Sequence, residues 1–453
     1  MQHPPLARIL DALHGAGAAT RHRRLLVLEG SAEALAELAP ILVSPGAPWI
    51  GHRAPPGVDP LPPDRAGELL GTELHRAVLD CTAGFWPDAL AAVAGAVVAG
   101  GVLVVAVPHG WGQGDPLAAR CRRLWTDAPG VRWVQLAEPW PHVAAAAPSP
   151  GPVTPAADGP WRTADQGRAV AAVERLIRGR KRRPLVLTAD RGRGKSAALG
   201  LAVGRLLGES PLQVVITGPS AAAVAPALTH AAAVLGVAVR HHRVKAPNGG
   251  ALWFMPPGEL WADPPAAQLV LVDEAATLPV PLLTGLLDRH PRIGFATTVH
   301  GYEGTGQGFA LRFRDALDAR TPGWRALSLS EPIRFAADDP VEAAVGRALC
   351  LDARAVTAET ARQAAQAPLE VAWPTPAALA ADEAILTAAF GLLVDAHYRT
   401  TPADLQRLLT DPTHRVAVLQ AAGVVLGAAV VVDEGGLVER ARVIAAGAGR
   451  ARG

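Results

Sequence analysis

Up to about residue 140, short apolar runs of strand length alternate with alanine-rich segments of helical spacing. Leu25 to Leu28, Ala77 to Leu79 and Val102 to Val107 are the apolar runs, and Pro87 to Val98 is the clearest helical stretch. This alternation predicts a small α/β domain, residues 1–143, around a largely parallel sheet. Ala89 to Val107 runs 19 residues without a charge, close to the length of a membrane span. Gly95 and Gly100-Gly101 interrupt it, and its second half is β-branched, so it predicts a buried helix, a glycine turn and a buried strand. Residues 144–160, AAAAPSPGPVTPAADGP, hold five prolines and a single charge. They read as a linker.

A second α/β block follows over residues 161–347, then an alanine-rich helical connector over 348–381. The pattern changes again in residues 382–453. Helices are expected near Asp382 to His397 and Pro402 to Leu409, then a hairpin of His414 to Leu419 and Val424 to Val432 around Ala421-Ala422-Gly423. No repeat at a fixed period is visible.

Composition narrows the class. Half of the 453 residues are hydrophobic and 19% are charged, enough apolar material for packed cores. The net charge of +2 excludes a polycationic coat protein, although a local basic groove remains compatible with it. Lysine occurs only at Lys181, Lys195 and Lys245, and the abundant Arg, Ala, Gly and Pro fit a GC-rich coding bias. Cys81, Cys121 and Cys350 are far apart and form no CxxC pair, which argues against a zinc site or disulfide framework. The amino terminus has no continuous apolar stretch of the kind a secretory signal needs. Together these features predict a soluble cytoplasmic protein.

The main chemical signal is Leu185-Val186-Leu187-Thr188, then Ala189-Asp190-Arg191-Gly192-Arg193-Gly194-Lys195-Ser196, then Ala197-Ala198-Leu199. A buried strand runs into a glycine-rich loop, and a helix starts at the GKS. This is the phosphate-loop pattern, with Ala189 where the first glycine often stands. Gly192 and Gly194 let backbone N–H groups curl around an oxyanion, and the helix terminus adds positive potential. Lys195 is expected on the β- and γ-phosphates of ATP or GTP, and Ser196 on Mg²⁺.

An apolar strand ending in acid should partner the loop. Gln268 to Val272 followed by Asp273-Glu274 supplies it. Asp273 is expected to hold Mg²⁺ through water, and Glu274 to orient or deprotonate the attacking water. Gln166, ahead of the loop, is a candidate for the adenine edge. Gly294 to Val299 is a third strand, followed by the loop His300 to Gly306. Arg334, in Ser330-Glu331-Pro332-Ile333-Arg334-Phe335, is a candidate arginine finger in cis. His109 and Trp111 follow a strand end in the first domain, where a plain loop is the simpler reading.

TADRGRGKSAALG, LVDEAATLPVPLL, ATTVHGYEGTGQGF, SEPIRFAADDPVE and AHYRTTPADLQRLL together resemble the bacterial tRNA(Met) cytidine acetyltransferases. That family joins an amino-terminal α/β domain, a RecD-like helicase module, a GNAT acetyltransferase domain and an RNA-binding tail. The similarity runs in order over most of residues 161–437 and is fainter before 140. It implies N4-acetylation of the wobble cytidine of elongator tRNA(Met), with acetyl-CoA as donor and ATP or GTP hydrolysis as drive. It implies nucleotide contacts from Gln166, the loop Thr188 to Ala197, and Arg334. No membrane or protein partner is implied.

A GNAT fold also needs a strand, a Q/R-x-x-G-x-G/A loop and a helix to hold the pyrophosphate of acetyl-CoA. After Asp433-Glu434-Gly435-Gly436-Leu437 the chain continues for 16 residues, and the tail RVIAAGAGRARG shows glycines with no preceding strand and no following helix. The expectation is a partial GNAT domain over 382–453 in a member cut short inside it, one that binds ATP but not acetyl-CoA. Two other readings compete: a stand-alone helicase-like ATPase stimulated by RNA, and an inert fragment whose half-sheet exposes an unpaired edge.

Overall fold

The computed structural model describes residues 4–43, 46–69, 72–136, 160–190, 192–298, 306–396, 400–433 and 438–447. The linker up to residue 159, Arg191, the loop 299–305, the HYR of residues 397–399 and the EGGL of residues 434–437 lie outside the described residues.

The amino-terminal unit is a six-stranded sheet in which every pairing is parallel. Strands Leu74–Asp80, Val97–Val107, Arg24–Glu29 and Val131–Gln135 follow one another in that spatial order, the last at the sheet's edge. Parallel strands buried on both faces must be apolar almost throughout, and Leu25 to Leu28 and Val102 to Val107 are all buried. Helices Pro4–Thr20 and Ala32–Leu42 cover one face. Pro87–Ala96 and Pro116–Trp125 cover the other. The uncharged stretch from Ala89 is therefore core. The expected glycine turn is absent, because Gly100, at φ +75°, lies inside the strand. A Cβ there would sit 3.3 Å from the Ala18 Cα, so glycine permits the helix to approach. Among the described residues no helix is long and apolar enough to cross a membrane.

The central unit is a seven-stranded sheet ordered Arg325–Leu329, Leu185–Ala189, Ile293–Thr298, Leu269–Val272, Gln213–Thr217, Ala251–Phe254 and Arg243–Lys245. All neighbours are parallel except the last pair. The strand leading into the phosphate loop and the strand ending in Asp273 are thus separated by one strand, Ile293–Thr298. Their carboxyl ends share one edge, since Thr298 is in register with Ala189, and Phe295 with Val272.

The third sheet is antiparallel and small. His414–Ala421 and Val424–Val432 form the expected hairpin, with Ala422 and Gly423 both at positive φ in the turn. The expected helical connector 348–381 contains helices Ala358–Ala364 and Pro376–Ala381, and also strand Glu370–Ala372, which pairs with His414–Ala421. Pro368 and Pro374 bracket that strand, and proline cannot continue a helix. A helix, Val438–Ala445, runs into the tail that the sequence pattern leaves without an element. The three cysteines are buried free thiols.

The first and third units are not separate bodies. One hydrophobic core holds Leu79, Leu90 and Trp125 of the first together with Val345, Phe390 and Leu405. Trp125 Nε1 donates to the Ala344 carbonyl at 3.1 Å. Arg23 and Asp339, both buried, close a second tie: the Arg23 backbone N–H donates to Oδ2 at 2.7 Å, and Nε and Nη2 to Oδ1 at 3.0 and 2.9 Å.

Candidate active site

The site is built at the carboxyl edge of the central sheet. Leu185–Ala189 is a buried strand, and helix Lys195–Glu209 begins at the GKS. Between them the chain must reverse within a few residues. It does so with Gly192 at φ +78° and Gly194 at φ +81°, where L-residues with a Cβ are strained. Gly194 is also crowded: a Cβ there would meet the Gln166 amide nitrogen at 2.7 Å and Ile333 Cδ1 at 3.2 Å. The loop therefore rests on two other segments of the chain.

Gln166 is buried behind the loop. Its Oε1 accepts from the Arg162 backbone N–H at 2.8 Å and its Nε2 donates to the Gly194 carbonyl at 3.4 Å. These two bonds brace the phosphate loop. Next to it Asp165 Oδ2 accepts from Ser330 N–H (2.7 Å), Ser330 Oγ (2.9 Å) and Glu331 N–H (3.1 Å), and Arg168 pairs with Oδ1. Burial pushes the Asp165 carboxyl up, but these hydrogen bonds and Arg168 outweigh it and hold it below the usual range. Asp165 thus fastens the SEP segment to the start of the ATPase unit.

Lys195 is buried, and its Nζ donates to Thr298 Oγ1 at 2.9 Å. That hydroxyl in turn donates to Glu274 Oε2 at 3.0 Å. Glu274 stands at φ +47°, an uncommon conformation for a residue with a side chain, which costs of order 1–3 kcal/mol and needs fixed surroundings. Asp273 is fully buried. Its Oδ1 accepts from the Glu274 N–H at 3.0 Å, while Oδ2 has no donor in bonding geometry. Burial and the neighbouring Glu274 push the Asp273 carboxyl up to about 6, while the Ser196 hydroxyl and the Lys195 charge partly offset this. Thr217, at the end of the adjoining strand, is buried with its hydroxyl likewise unpartnered. Orphaned buried oxygens beside a hydroxyl are the donor set a hard cation takes. Ser196 and Asp273 therefore fit Mg²⁺.

The structure brings Lys195, Ser196, Asp273 and Glu274 to one place. Thr298, which links two of them, was given no role by the sequence; its only signal was a polar residue closing an apolar strand. Arg334 Nη1 donates to the Gly95 carbonyl at 3.0 Å, and its own carbonyl accepts from Ala99 N–H at 3.0 Å. The residue before it, Ile333, donates its N–H to the Gly192 carbonyl at 3.1 Å. Arg193 is buried and tied by Nε to the Ser330 carbonyl at 2.9 Å and by Nη2 to Glu342 at 2.9 Å. A cleft of about 460 Å³ opens beside the loop, between Gly192, Arg193 and Phe335 and the amino-terminal unit at Arg23 and Gly95. His109 and Trp111 do not line it, and Trp111 is buried against Trp125.

The raised Asp273 carboxyl has a consequence for stability. Its native pKa lies above the unfolded value, so the folded state holds the extra proton and stability falls as pH rises from about 4 to about 6. In chelator, Asp273→Asn removes that loss. The expected result is a melting temperature that declines less across this window in the variant than in the parent; parallel curves would refute it.

Two family patterns match the chain. Residues 1–124 match the one described as tRNA(Met) cytidine acetyltransferase TmcA, N-terminal. Residues 186–352 match RNA cytidine acetyltransferase NAT10/TcmA, helicase domain. The tRNA(Met) cytidine acetyltransferase TmcA of Nitrosococcus halophilus is 41% identical over 96% of this chain. The chain belongs to the tRNA(Met) cytidine acetyltransferase family. The relative of the same description from Haloferax volcanii is 36% identical over 99% of the chain. The chain spans 62% of the first relative's length and 66% of the second's. Among solved structures, the large terminase of a thermophilic bacteriophage aligns over 45% of this chain and 50% of its own, at 13% identity and a TM-score of 0.30. Within the family's shared segments, the phosphate loop, Asp273-Glu274 and Thr298 all fall in the helicase-domain match.

Proposed function

We propose that this chain carries the nucleotide-hydrolysing module of an RNA cytidine acetyltransferase, one that acetylates N4 of the wobble cytidine of elongator tRNA(Met) from acetyl-CoA. The observation that carries the reading is the joining of Lys195, Thr298 and Glu274 beside the unpartnered Asp273 oxygen, in a chain of this family. Loop amides and Lys195 bind the β- and γ-phosphates of ATP or GTP. Ser196 and Asp273 hold Mg²⁺, which when bound neutralises phosphate charge. Glu274 takes the proton of a water whose oxygen attacks the γ-phosphorus, and the bond to the β-phosphate oxygen breaks. Thr298 keeps the Glu274 carboxylate aimed. Arg334 sits one residue from the loop contact of Ile333, so a modest shift of that segment would let it serve as the arginine finger in cis. Drawing a base from its stack costs a few kcal/mol, which gives hydrolysis a task in such a reaction.

The test is an acetylation assay with the purified chain, ATP, acetyl-CoA and tRNA(Met), followed by digestion and mass spectrometry for N4-acetylcytidine. Product that depends on ATP is the result the family reading expects, and it would overturn the expectation that this chain does not bind acetyl-CoA. RNA-stimulated hydrolysis without product would favour a stand-alone ATPase, and neither activity would sink both readings.

A further inference from the structure

At the amino-terminal end of the central sheet, away from the phosphate loop, Arg168, Arg175, Arg180, Arg183 and Arg325 line a cleft of about 450 Å³ with no acidic residue among its lining. We propose that this cleft binds the phosphodiester backbone of RNA; the proposal rests on the RNA-modifying reading above and names the surface that reading lacks. Leu185 and Arg325 are paired at the beginnings of their strands. The phosphate loop follows the same strand's far end, five residues on, about 17 Å away at the usual strand rise. The cleft is therefore a second anion site and not an extension of the first.

Its charge is not consumed internally. All five arginines are exposed, and among the described residues only Arg168 has an ion-pair partner, the buried Asp165. Arg175, Arg180, Arg183 and Arg325 form no ion pair among the described residues, whereas the neighbouring Arg178 pairs with both Glu174 and Glu209. The whole chain carries a formal charge of only +2, so this is a local concentration and not a general excess. Like charges held within a cleft of this size lie inside about one Debye length (~10 Å at 0.1 M salt) and repel. A polyanion relieves that repulsion and releases its own counterions.

The backbone that carries Arg180 and Arg183 is also held in place. The run Arg180-Lys181-Arg182-Arg183 is a turn whose Arg182 N–H donates to the Pro291 carbonyl at 2.7 Å, with Arg182 at φ +57°. Arg292 braces it from below, donating Nε to the Leu176 carbonyl at 2.8 Å and Nη2 to the Gly179 carbonyl at 3.2 Å. A pinned turn presents its guanidiniums with less entropy to lose on binding. A guanidinium matches a phosphate through two parallel N–H bonds. The concave shape suits a strand better than a flat bilayer. None of the exposed large hydrophobic residues of the chain lines the cleft, so it lacks the apolar wedge that membrane-surface binding uses.

The test uses the full chain with Arg180→Glu/Arg183→Glu, and Arg180→Ala/Arg183→Ala as the milder pair, and a fluorescent RNA stem-loop read by anisotropy over a salt series. Charge reversal is expected to weaken RNA binding at least tenfold. The alanine pair should make the slope of log affinity against log salt shallower by roughly 1 for each phosphate that is no longer neutralised. ATP hydrolysis without RNA should be unchanged in both, which shows that the fold is intact. Unchanged affinity and slope overturn the proposal, as does a parent chain that binds no RNA. Loss of binding to phosphatidylserine vesicles with RNA affinity intact overturns it in favour of a membrane. Hydrolysis that survives Lys195→Ala would count against the phosphate-loop reading alone, so the two failures can be told apart.

Discussion

Lys195→Ala is expected to lower ATP hydrolysis at least about a hundredfold, the loss typical when one preorganised donor to a reacting centre is removed. The reason lies in the position of Nζ, which is buried and bonded to Thr298 Oγ1 at 2.9 Å. In the proposed mechanism a single ammonium in that water-poor setting supplies the main side-chain charge for the β- and γ-phosphates. The same substitution also removes the donor to Thr298 Oγ1, the hydroxyl that donates to Glu274 at 3.0 Å, and so loosens the orientation of that hydroxyl. Steady-state phosphate release under saturating ATP is the measurement, with circular dichroism to show the variant folded. Turnover within a few-fold of the parent would remove Lys195 from the mechanism. Lys195→Arg retains the charge but replaces a compact ammonium with a wider planar group, so its activity should stay close to that of the alanine variant.

The largest loss of stability is expected at Arg120, far from that chemistry. Arg120 is 1% exposed and joins the first unit to the last. Its Nη1 donates to the Ala348 carbonyl at 2.5 Å and Nη2 to the Arg347 carbonyl at 2.8 Å, while Nε and Nη2 reach Glu383 at 2.9 and 2.6 Å. Truncation to alanine leaves two carbonyls and a carboxylate without this donor, at a cost of about 3 kcal/mol, the lower end for a broken buried pair because Glu383 is partly exposed. Arg123, which also pairs with Glu383 at 2.6 Å, recovers part of the carboxylate's stabilisation. Denaturant unfolding of Arg120→Ala should therefore begin earlier, with fluorescence from Trp125, in the core that joins the units, changing first. A midpoint equal to that of the parent would mean that the units do not depend on this tie. Arg120→Met, which refills the volume but not the hydrogen bonds, is expected to fall between the two.

How much of this was legible beforehand depends on the range over which each feature is encoded. Strand Leu185–Ala189, the glycine loop and helix Lys195–Glu209 are contiguous, so apolar run, glycines and helix start can be read in one pass along the chain. The same holds for strand Leu269–Val272 with its trailing acids, and for the hairpin of His414–Ala421 and Val424–Val432. Strand Glu370–Ala372 was hidden because three residues between prolines carry too short a pattern to separate from a connector. The glycine turn expected at Gly100 was misplaced because glycine marks close approach as readily as a turn, and only the position of Ala18 decides between them.

By itself the sequence determined the class of the protein, its parallel sheets and the phosphate loop, since each is set by periodicity and backbone freedom among neighbours in the chain. Only the tertiary structure decided the rest. The order of strands put Thr298 between Lys195 and Glu274. The packing of the SEP segment set Gln166 behind the loop and turned Arg334 toward Gly95. Helix Pro340–Ala348, across more than 200 residues of chain, closed the first unit's core with the last. These are contacts between residues remote in the chain, and their partners are chosen by register and by which apolar faces find each other, quantities that no local pattern carries.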